Sequence, residues 1–420
     1  MKSRQPLACV LGDMDLVRPL GLSGVDCVVA VPPGAAPRFS RFTRAALEWA
    51  NPWEHGDKLV ETLMQFGTAQ AKKPVLFYES DGELLLISRN RERLRQAFRF
   101  VIADPTLVED LVDKELFQKL AERLSLPVPP ARRLRPDQEL KPADLGLRYP
   151  IVVKPLTRRP DVWKAVAKSG KAVRVNTPEE LLKLWPRLAA SGVTTLAQEL
   201  IPGPETCIES YHVYVDEQGE IVGEFTGRKI RTYPREYGDS TALVTTNETD
   251  VVELGRQLVH QLRLQGVAKF DFKRAPDGKL YLLEVNPRFN LWHHLGALAG
   301  VNLPALVYSD LTGQPRPAVT TARSNMRWCR IWQDAQAARA SQLSLAKWLP
   351  WALGCEAQRL LSWDDPMPFL GAALFRAREW QQSLFTKTES QRFSRQVSAA
   401  KVPERTRRPE MTINNEGFKA

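Results

Sequence analysis

Long apolar runs are missing from this chain of 420 residues, and no uninterrupted stretch reaches the ~18 residues that a membrane span requires. The opening, MKSRQPLACVLGDMD, has neither the apolar core nor the cleavage site of a signal peptide, so the expected compartment is the cytoplasm. Cysteine is sparse. Cys9, Cys27, Cys207, Cys329 and Cys355 are scattered with no C-x-x-C, which indicates buried thiols and neither a disulfide framework nor a zinc site. Glycine-based nucleotide signatures are also lacking. Gly12 is not continued by the G-x-x-G spacing of a dinucleotide fingerprint. Gly170-Lys171 is not a phosphate loop, because Ala165 stands where the first glycine belongs and Ala172 where Ser or Thr belongs. No G-x-S-x-G, Cys/His pair or H-E-x-x-H occurs, which argues against the common hydrolases.

What is present is a soluble composition, 43% hydrophobic and 25% charged, in a chain long enough for two or three subdomains. Fifty-nine basic against forty-eight acidic side chains give a net +11. The excess concentrates at the end: residues 321–420 hold sixteen Lys or Arg, nine Asp or Glu, and six of the eleven Trp. That balance suggests an anionic partner for this quarter, such as lipid, glycan or nucleic acid. Only charge supports nucleic acid, since no motif of that class appears.

Apolar runs at Leu7–Leu11, Asp26–Val31 and Pro74–Tyr78 predict a β-α-β opening of a parallel sheet, with a polar turn at Ser80–Gly82. Asp13, at the carboxyl end of the first strand, fits a helix N-cap or a ligand contact. Between Asp104 and Pro130, Leu111, Leu116, Leu120 and Leu124 fall at helical spacing, and LPVPP ends the helix. Tyr149–Pro155 is a short buried strand closed by Lys154, whose head needs an anion. Thr195–Glu205 reads as a strand leaving through Pro-Gly-Pro. Ile208–Val215 and Ile221–Thr226 form a strand pair, Gly227–Thr241 a cationic loop, and Thr249–Leu264 an amphipathic helix.

Val267–Asn290 then reads as a hairpin. VAKFDF alternates apolar and polar, PDGK is turn chemistry, and KLYLLEVN resumes the period of two. A four-residue loop over Pro276–Lys279 sets Asp271 opposite Glu284, with Asn286 two residues on and on the same face. Buried beside Phe270, Phe272, Leu283 and Val285, unpaired carboxylates would cost several kcal/mol. A divalent cation removes that cost, and oxygen donors suit Mg²⁺ or Mn²⁺. The alternative is a surface hairpin with solvated carboxylates.

FDF followed by LLEVNPR resembles the metal-binding end of the ATP-grasp superfamily. The resemblance implies Asp271, Glu284 and Asn286 as ligands of Mg²⁺ (or Mn²⁺) held against ATP phosphates. It implies Arg288 as the cation that steadies an acyl phosphate or carboxylate. Lys114, in D-K before the helix and LPVP, and Lys154 would reach the phosphates, and Leu156–Ala172 would cover them with unusually little glycine. Gln198 and Glu199 match the hinge pair beside adenine, Ile201 the apolar face, and Glu205 the acid on the ribose. In K-x-R-x-Y-P-x-x-x-G, Lys229 and Arg231 would line the γ-phosphate and acceptor carboxylate. His293 and His294, in the closing helices, have no evident partner as a catalytic base.

The expected architecture is therefore α/β and α+β. It has an N-terminal open α/β domain over 1–102, an ATP-grasp domain over 103–313, a Trp- and Arg-rich helical extension over 314–387 and a disordered basic tail over 388–420. The activity implied is an ATP-dependent carboxylate:amine ligase working through an acyl phosphate, closest to the D-aspartate ligase branch. The alternative is a catalytically silent nucleotide-binding protein. Small-molecule carboxylate and amine substrates are expected, without nucleic acid. Trp328–Lys387 is expected to contact a membrane surface or membrane-bound partner, its alternative being packing on the core or a dimer interface.

Overall fold

The computed structural model describes residues 5–156, 163, 166, 172–235 and 238–379. Residues 1–372 form one compact unit; in the other, 373–420, the described residues 373–379 are helical. The expected covering loop over 156–172 and the tail beyond 388 fall almost wholly outside the described residues.

The first sheet is parallel, in the order β3-β2-β1-β4, from β1 (Ala8–Leu11), β2 (Cys27–Val29), β3 (Thr43–Ala46) and β4 (Val75–Tyr78). Between β1 and β2 runs α1 (Met14–Leu22); α2 (Gly56–Thr68) precedes β4, and α3 (Asp81–Arg89) and α4 (Arg91–Arg95) follow it. Asp13 caps α1, its carboxylate accepting from the Met14 N–H at 2.7 Å. Ser80–Gly82 is not a free turn but the start of α3. The Ser80 hydroxyl and Glu83 carboxylate satisfy each other's backbone N–H in a capping box.

The single helix expected after Asp104 is two, α5 (Pro105–Val112) and α6 (Lys114–Arg123). Asp113 is extended at the break and accepts from the N–H groups of Glu115 and Leu116, so a new N-terminus outcompetes continuation. This places Lys114 on the first turn of α6.

A small antiparallel sheet follows in the order β5-β8-β6-β7: β5 (Ala131–Leu134), β6 (Ile151–Pro155), β7 (Val173–Val175) and β8 (Thr195–Glu199), with α7 (Pro178–Ala190) before β8. Leu181, Leu184 and Leu188 of α7 pack on Ile151, Val153, Val175 and Ala197.

The third sheet has seven strands in the order β13-β12-β9-β10-β11-β14-β15. They are β9 (Ile208–Val215), β10 (Ile221–Tyr233), β11 (Asp239–Thr246), β12 (Gly266–Arg274), β13 (Leu280–Asn286), β14 (Arg327–Cys329) and β15 (Ala357–Gln358). Its helices are α8 (Thr249–Leu262), α9 (His293–Ala299), α10 (Leu303–Thr312), α11 (Ile331–Ala340) and α12 (Leu345–Leu353). Gly255 lets α8 lie flat on β9, since an added Cβ would sit 2.4 Å from the Tyr211 ring. One core joins α2, α3, α5, α6 and α8 to Tyr211, Phe270 and Phe272. A second joins α1, α9 and α10 to Trp292 and Trp328.

Two expectations change here. Gly227–Tyr233 is the second half of β10, not a loop, paired with β11 as far as Tyr233 with Asp239. Its cations tolerate a strand because buried carboxylates meet two of them. The segment after 314 is likewise not purely helical: β14 and β15 extend the main sheet. Trp328 is fully buried and donates from Nε1 to Asp15 Oδ1 at 3.1 Å, while Trp348 donates to Asp334 Oδ2 at 2.8 Å. These rings pack in the fold, leaving Trp332, Trp363, Leu345, Leu349 and Leu353 exposed.

Candidate functional site

Asp271 pairs with Glu284 and Lys269 with Asn286 across β12 and β13. Asp271 is 1% exposed and fully partnered. Its Oδ1 accepts from Ser210 Oγ at 2.6 Å and its Oδ2 from Lys269 Nζ at 2.6 Å, with Lys229 Nζ at 3.6 Å. The Glu284 side chain is 46% exposed. Its Oε1 accepts from Asn286 Nδ2 at 3.1 Å and lies 3.7 Å from Lys269 Nζ. Two carboxylates and an amide thus converge among lysines at one end of the hairpin. Among the described residues, no group of three or more His, Cys, Asp or Glu comes together that could hold a metal ion. The donor set here is two acids and Asn286.

Lys154 reaches across from β6. Its Nζ donates to Gln198 Oε1 at 2.9 Å, and burial pushes it down while Glu284 pulls it up. Lys229 is raised: burial opposes its charge, but Asp271, Glu284 and Glu205 together outweigh that. Lys114 Nζ donates to the Pro155 carbonyl at 2.9 Å, beside the end of β6. The lysines in contact with the acidic hairpin are thus Lys229 and Lys269, while Lys154 and Lys114 are held at the end of β6 by Gln198 and the Pro155 carbonyl.

At the hinge, Ile201 is buried. Glu199 is committed elsewhere, accepting from the Arg148 N–H at 3.0 Å and from its guanidinium at 2.9 and 3.1 Å. The Glu199 and Leu200 N–H groups donate to the carbonyls of Pro130 and Pro150. Glu205 lies in a short 3-10 turn near Lys273, whose Nζ donates to the Gly203 and Pro204 carbonyls at 2.8 and 2.5 Å and so fixes the turn.

Arg231 is not beside Lys229. A bulge at Ile230 interrupts the alternation of β10, and Arg231 instead forms two hydrogen bonds, 2.8 and 2.7 Å, with the fully buried Asp334. Its guanidinium lies 4.1 Å from the centroid of Trp351. The structure thus ties Arg231 to α11 and α12, away from the Asp271 cluster. Arg288 donates to Asp81 Oδ1 at 2.5 Å, the Glu79 carbonyl at 2.7 Å and Asn286 Oδ1 at 3.3 Å. It joins the hairpin to the carboxyl end of β4.

His293 and His294 are buried, and desolvation pushes both down to about 3. Neither is placed to act as a base near neutrality. Sequence reasoning missed Lys269, although an i, i−2 lysine on the same face of an alternating strand points toward Asp271. It also missed Asp81, Glu79 and Asp334, which act over long separations and leave no local signal.

A family model described as "ATP-grasp in the biosynthetic pathway with Ter operon" matches residues 193–333. D-aspartate ligase of Enterococcus faecium is 23% identical over 286 residues, covering 65% of this chain and 68% of that protein. L-amino acid ligase of Bacillus licheniformis has a similar structure, with a TM-score of 0.56 and 16% identity over 75% of this chain and 76% of that one. An ADP complex of N5-carboxyaminoimidazole ribonucleotide synthetase gives 0.58 and 15%, covering 77% and 82%. The three sheets in this arrangement, with the family match over residues 193–333, are the ATP-grasp fold. Within it, the chain is an enzyme of the carbon-nitrogen ligase kind.

Proposed function

We propose that this enzyme joins a carboxylate to an amine at the expense of ATP, through an acyl phosphate. The observation that carries the reading is the hairpin's Asp271–Glu284 pair set among Lys229, 3.6 Å from Asp271, and Lys269, 2.6 Å from Asp271 and 3.7 Å from Glu284. Lysines there suit phosphate oxygens, and the hairpin's oxygen donors suit a hard divalent cation. Asp271, Glu284 and Asn286 would hold Mg²⁺ or Mn²⁺, which when bound offsets the negative charge of the phosphates.

Lys114 and Lys154 bind the phosphates, Ile201 packs on adenine, and Glu205 accepts from the ribose. Gln198 holds Lys154 in place, and Glu199 holds the hinge through Arg148. A substrate carboxylate oxygen attacks the γ-phosphorus, the bond to ADP oxygen breaks, and the acyl phosphate forms. An amine nitrogen then attacks the acyl carbon, phosphate departs, and the amine gives up a proton to leave an amide. Lys229 and Arg288 stabilise the charge that builds up during both steps, so catalysis is mainly positioning and electrostatics. Incubation with ATP, Mg²⁺ and pooled amino acids and sugar acids, following ADP, phosphate and the mass of any amide, tests the reading. Absence of ADP with every mixture overturns it.

A peripheral contact with an anionic membrane is proposed for Trp332, Trp363 and the Leu345, Leu349, Leu353 face of α12. Its support is their exposure within a basic segment. No helix among the described residues is long and apolar enough to cross a membrane. Flotation of the full chain with anionic vesicles, lost in high salt and with Leu349→Glu, is expected; a chain that stays in solution contradicts the contact.

A further inference from the structure

Ser210, Asp271 and Glu284 pair in turn across β9, β12 and β13, and Lys269 pairs with Asn286 in the next row on the same face. Lys269 therefore rises beside both acids. Its Nζ is 2.6 Å from Asp271 Oδ2 and 3.7 Å from Glu284 Oε1, so an ammonium group stands between the two carboxylates. The other oxygen donors of the hairpin are matched as well. Asp271 Oδ1 accepts from Ser210 Oγ at 2.6 Å, Glu284 Oε1 from Asn286 Nδ2 at 3.1 Å, and Asn286 Oδ1 from Arg288 Nη2 at 3.3 Å. Lys229 brings a second ammonium to 3.6 Å from Asp271 Oδ2.

The chain thus neutralises its own acids: two carboxylates face two ammonium groups. Asp271 Oδ2 cannot serve a second cation at the same time. A divalent ion about 2.1 Å from that oxygen would sit about 4 Å from an ammonium bonded to it, and the two would repel. Asp271 is 1% exposed, so water screens little of that repulsion. For Asp271 to ligate a metal, Lys269 has to let go of it. A lysine released from its partner here needs another anion, and the phosphates of ATP are the anions the reaction brings.

We propose that Lys269 is an internal counter-ion that keeps divalent cations off the hairpin until nucleotide phosphates take up its charge, so that phosphate binding precedes and enables metal binding. The assignment rests on the ligase reading, in which Asp271 and Glu284 hold the metal. Ser210 stays on Asp271 Oδ1 throughout and keeps the carboxylate in place while Oδ2 changes partner.

The test is Mn²⁺ binding to the full chain, with and without a non-hydrolysable ATP analogue. Water-proton relaxation enhancement reads it, because that signal separates Mn²⁺ on the protein from Mn²⁺ on free nucleotide. The free protein is expected to bind Mn²⁺ at least tenfold more weakly than the analogue complex does. Calorimetry with EDTA present should show that the analogue binds without metal. Lys269→Met is expected to bind Mn²⁺ without nucleotide at least tenfold more tightly than the unaltered protein, and Lys269→Arg to show no such gain. Circular dichroism checks that the variants are folded, and the unaltered protein decides the order by itself whatever their stability. Equal Mn²⁺ affinity with and without the analogue, no Mn²⁺ binding in any state, an analogue that needs metal to bind, or no gain in folded Lys269→Met overturns the inference. ADP release in parallel separates the two ideas. Nucleotide-dependent Mn²⁺ binding under the control of Lys269, without turnover of any substrate mixture, defeats the ligase reading alone. Turnover by a protein that binds Mn²⁺ equally well without nucleotide defeats the counter-ion alone.

Discussion

Asp271 faces Glu284 because Leu283 is left over. From the turn, Arg274 pairs with Leu280 and Phe272 with Leu282; the register then slips by one residue, and Asp271 meets Glu284. The loop is one residue longer than a Pro276–Lys279 turn, since Ala275 N–H bonds to the Lys279 carbonyl within it. The bulge at Leu283 restores the pairing that the shorter loop would have given directly. Bulges of this kind re-aim side chains at functional sites, and here one turns Glu284 to a half-open position beside a buried acid.

Glu284→Gln is accordingly expected to leave the fold intact and remove turnover by a factor of about 100 or more, the scale of losing one electrostatic element of a site. Steady-state ADP release and a thermal melt check both halves. Near-normal activity at saturating Mg²⁺ contradicts a metal role for Glu284.

Lys154→Ala is expected to weaken ATP binding by roughly 10- to 100-fold, since a hydrogen bond from a charged group is worth about 1.5–3 kcal/mol. Calorimetry with a non-hydrolysable analogue reads this out. An unchanged dissociation constant makes the Lys154–Gln198 contact purely structural.

Arg231→Ala is expected to act on stability. It leaves Asp334 buried with only Thr241 and Trp348 as partners, and uncovering a buried charge typically costs about 3–5 kcal/mol. Urea unfolding should show most of that loss, and the double variant Arg231→Met, Asp334→Asn should recover part of it. A variant as stable as the parent but unable to use its substrate would return Arg231 to the reaction site.

Asp15 gives a pH prediction. Burial, then Glu79 and Asp13, push it up to about 8, from an ordinary value of 3.8. The folded protein therefore holds this proton more tightly than the unfolded chain. Its contribution is complete below about pH 4 and is lost as pH rises toward 8, at about 1.4 kcal/mol per pH unit. Glu79, pushed up to about 7 by burial and Asp13, has the same sign. Asp15→Asn is expected to flatten the fall in urea midpoint between pH 5 and 8; a slope identical to the parent's contradicts a protonated Asp15.

The hairpin, the strand ending at Lys154 and the parallel opening were legible because each is a local pattern of alternation or punctuation. Arg231 was not, because nothing in GRKIRTY marks the bulge at Ile230 that parts it from Lys229. The break at Asp113 was masked by leucines that keep helical spacing across it. Trp328 and Trp348 read as interfacial because their polar partners, Asp15 and Asp334, are distant in the chain or unmarked by spacing. Arg359 became visible as the partner of Asp13 only once the fold had carried it to the end of β1.

The central claim is tested most directly by incubating the full-length protein with ATP, Mg²⁺ and ¹⁸O-labelled carboxylate substrates in the presence of amines, and analysing the products by mass spectrometry. The account predicts ADP, an amide in equal amount, and phosphate carrying one ¹⁸O from the carboxylate. AMP and pyrophosphate, or ADP with unlabelled phosphate and no amide, would contradict it.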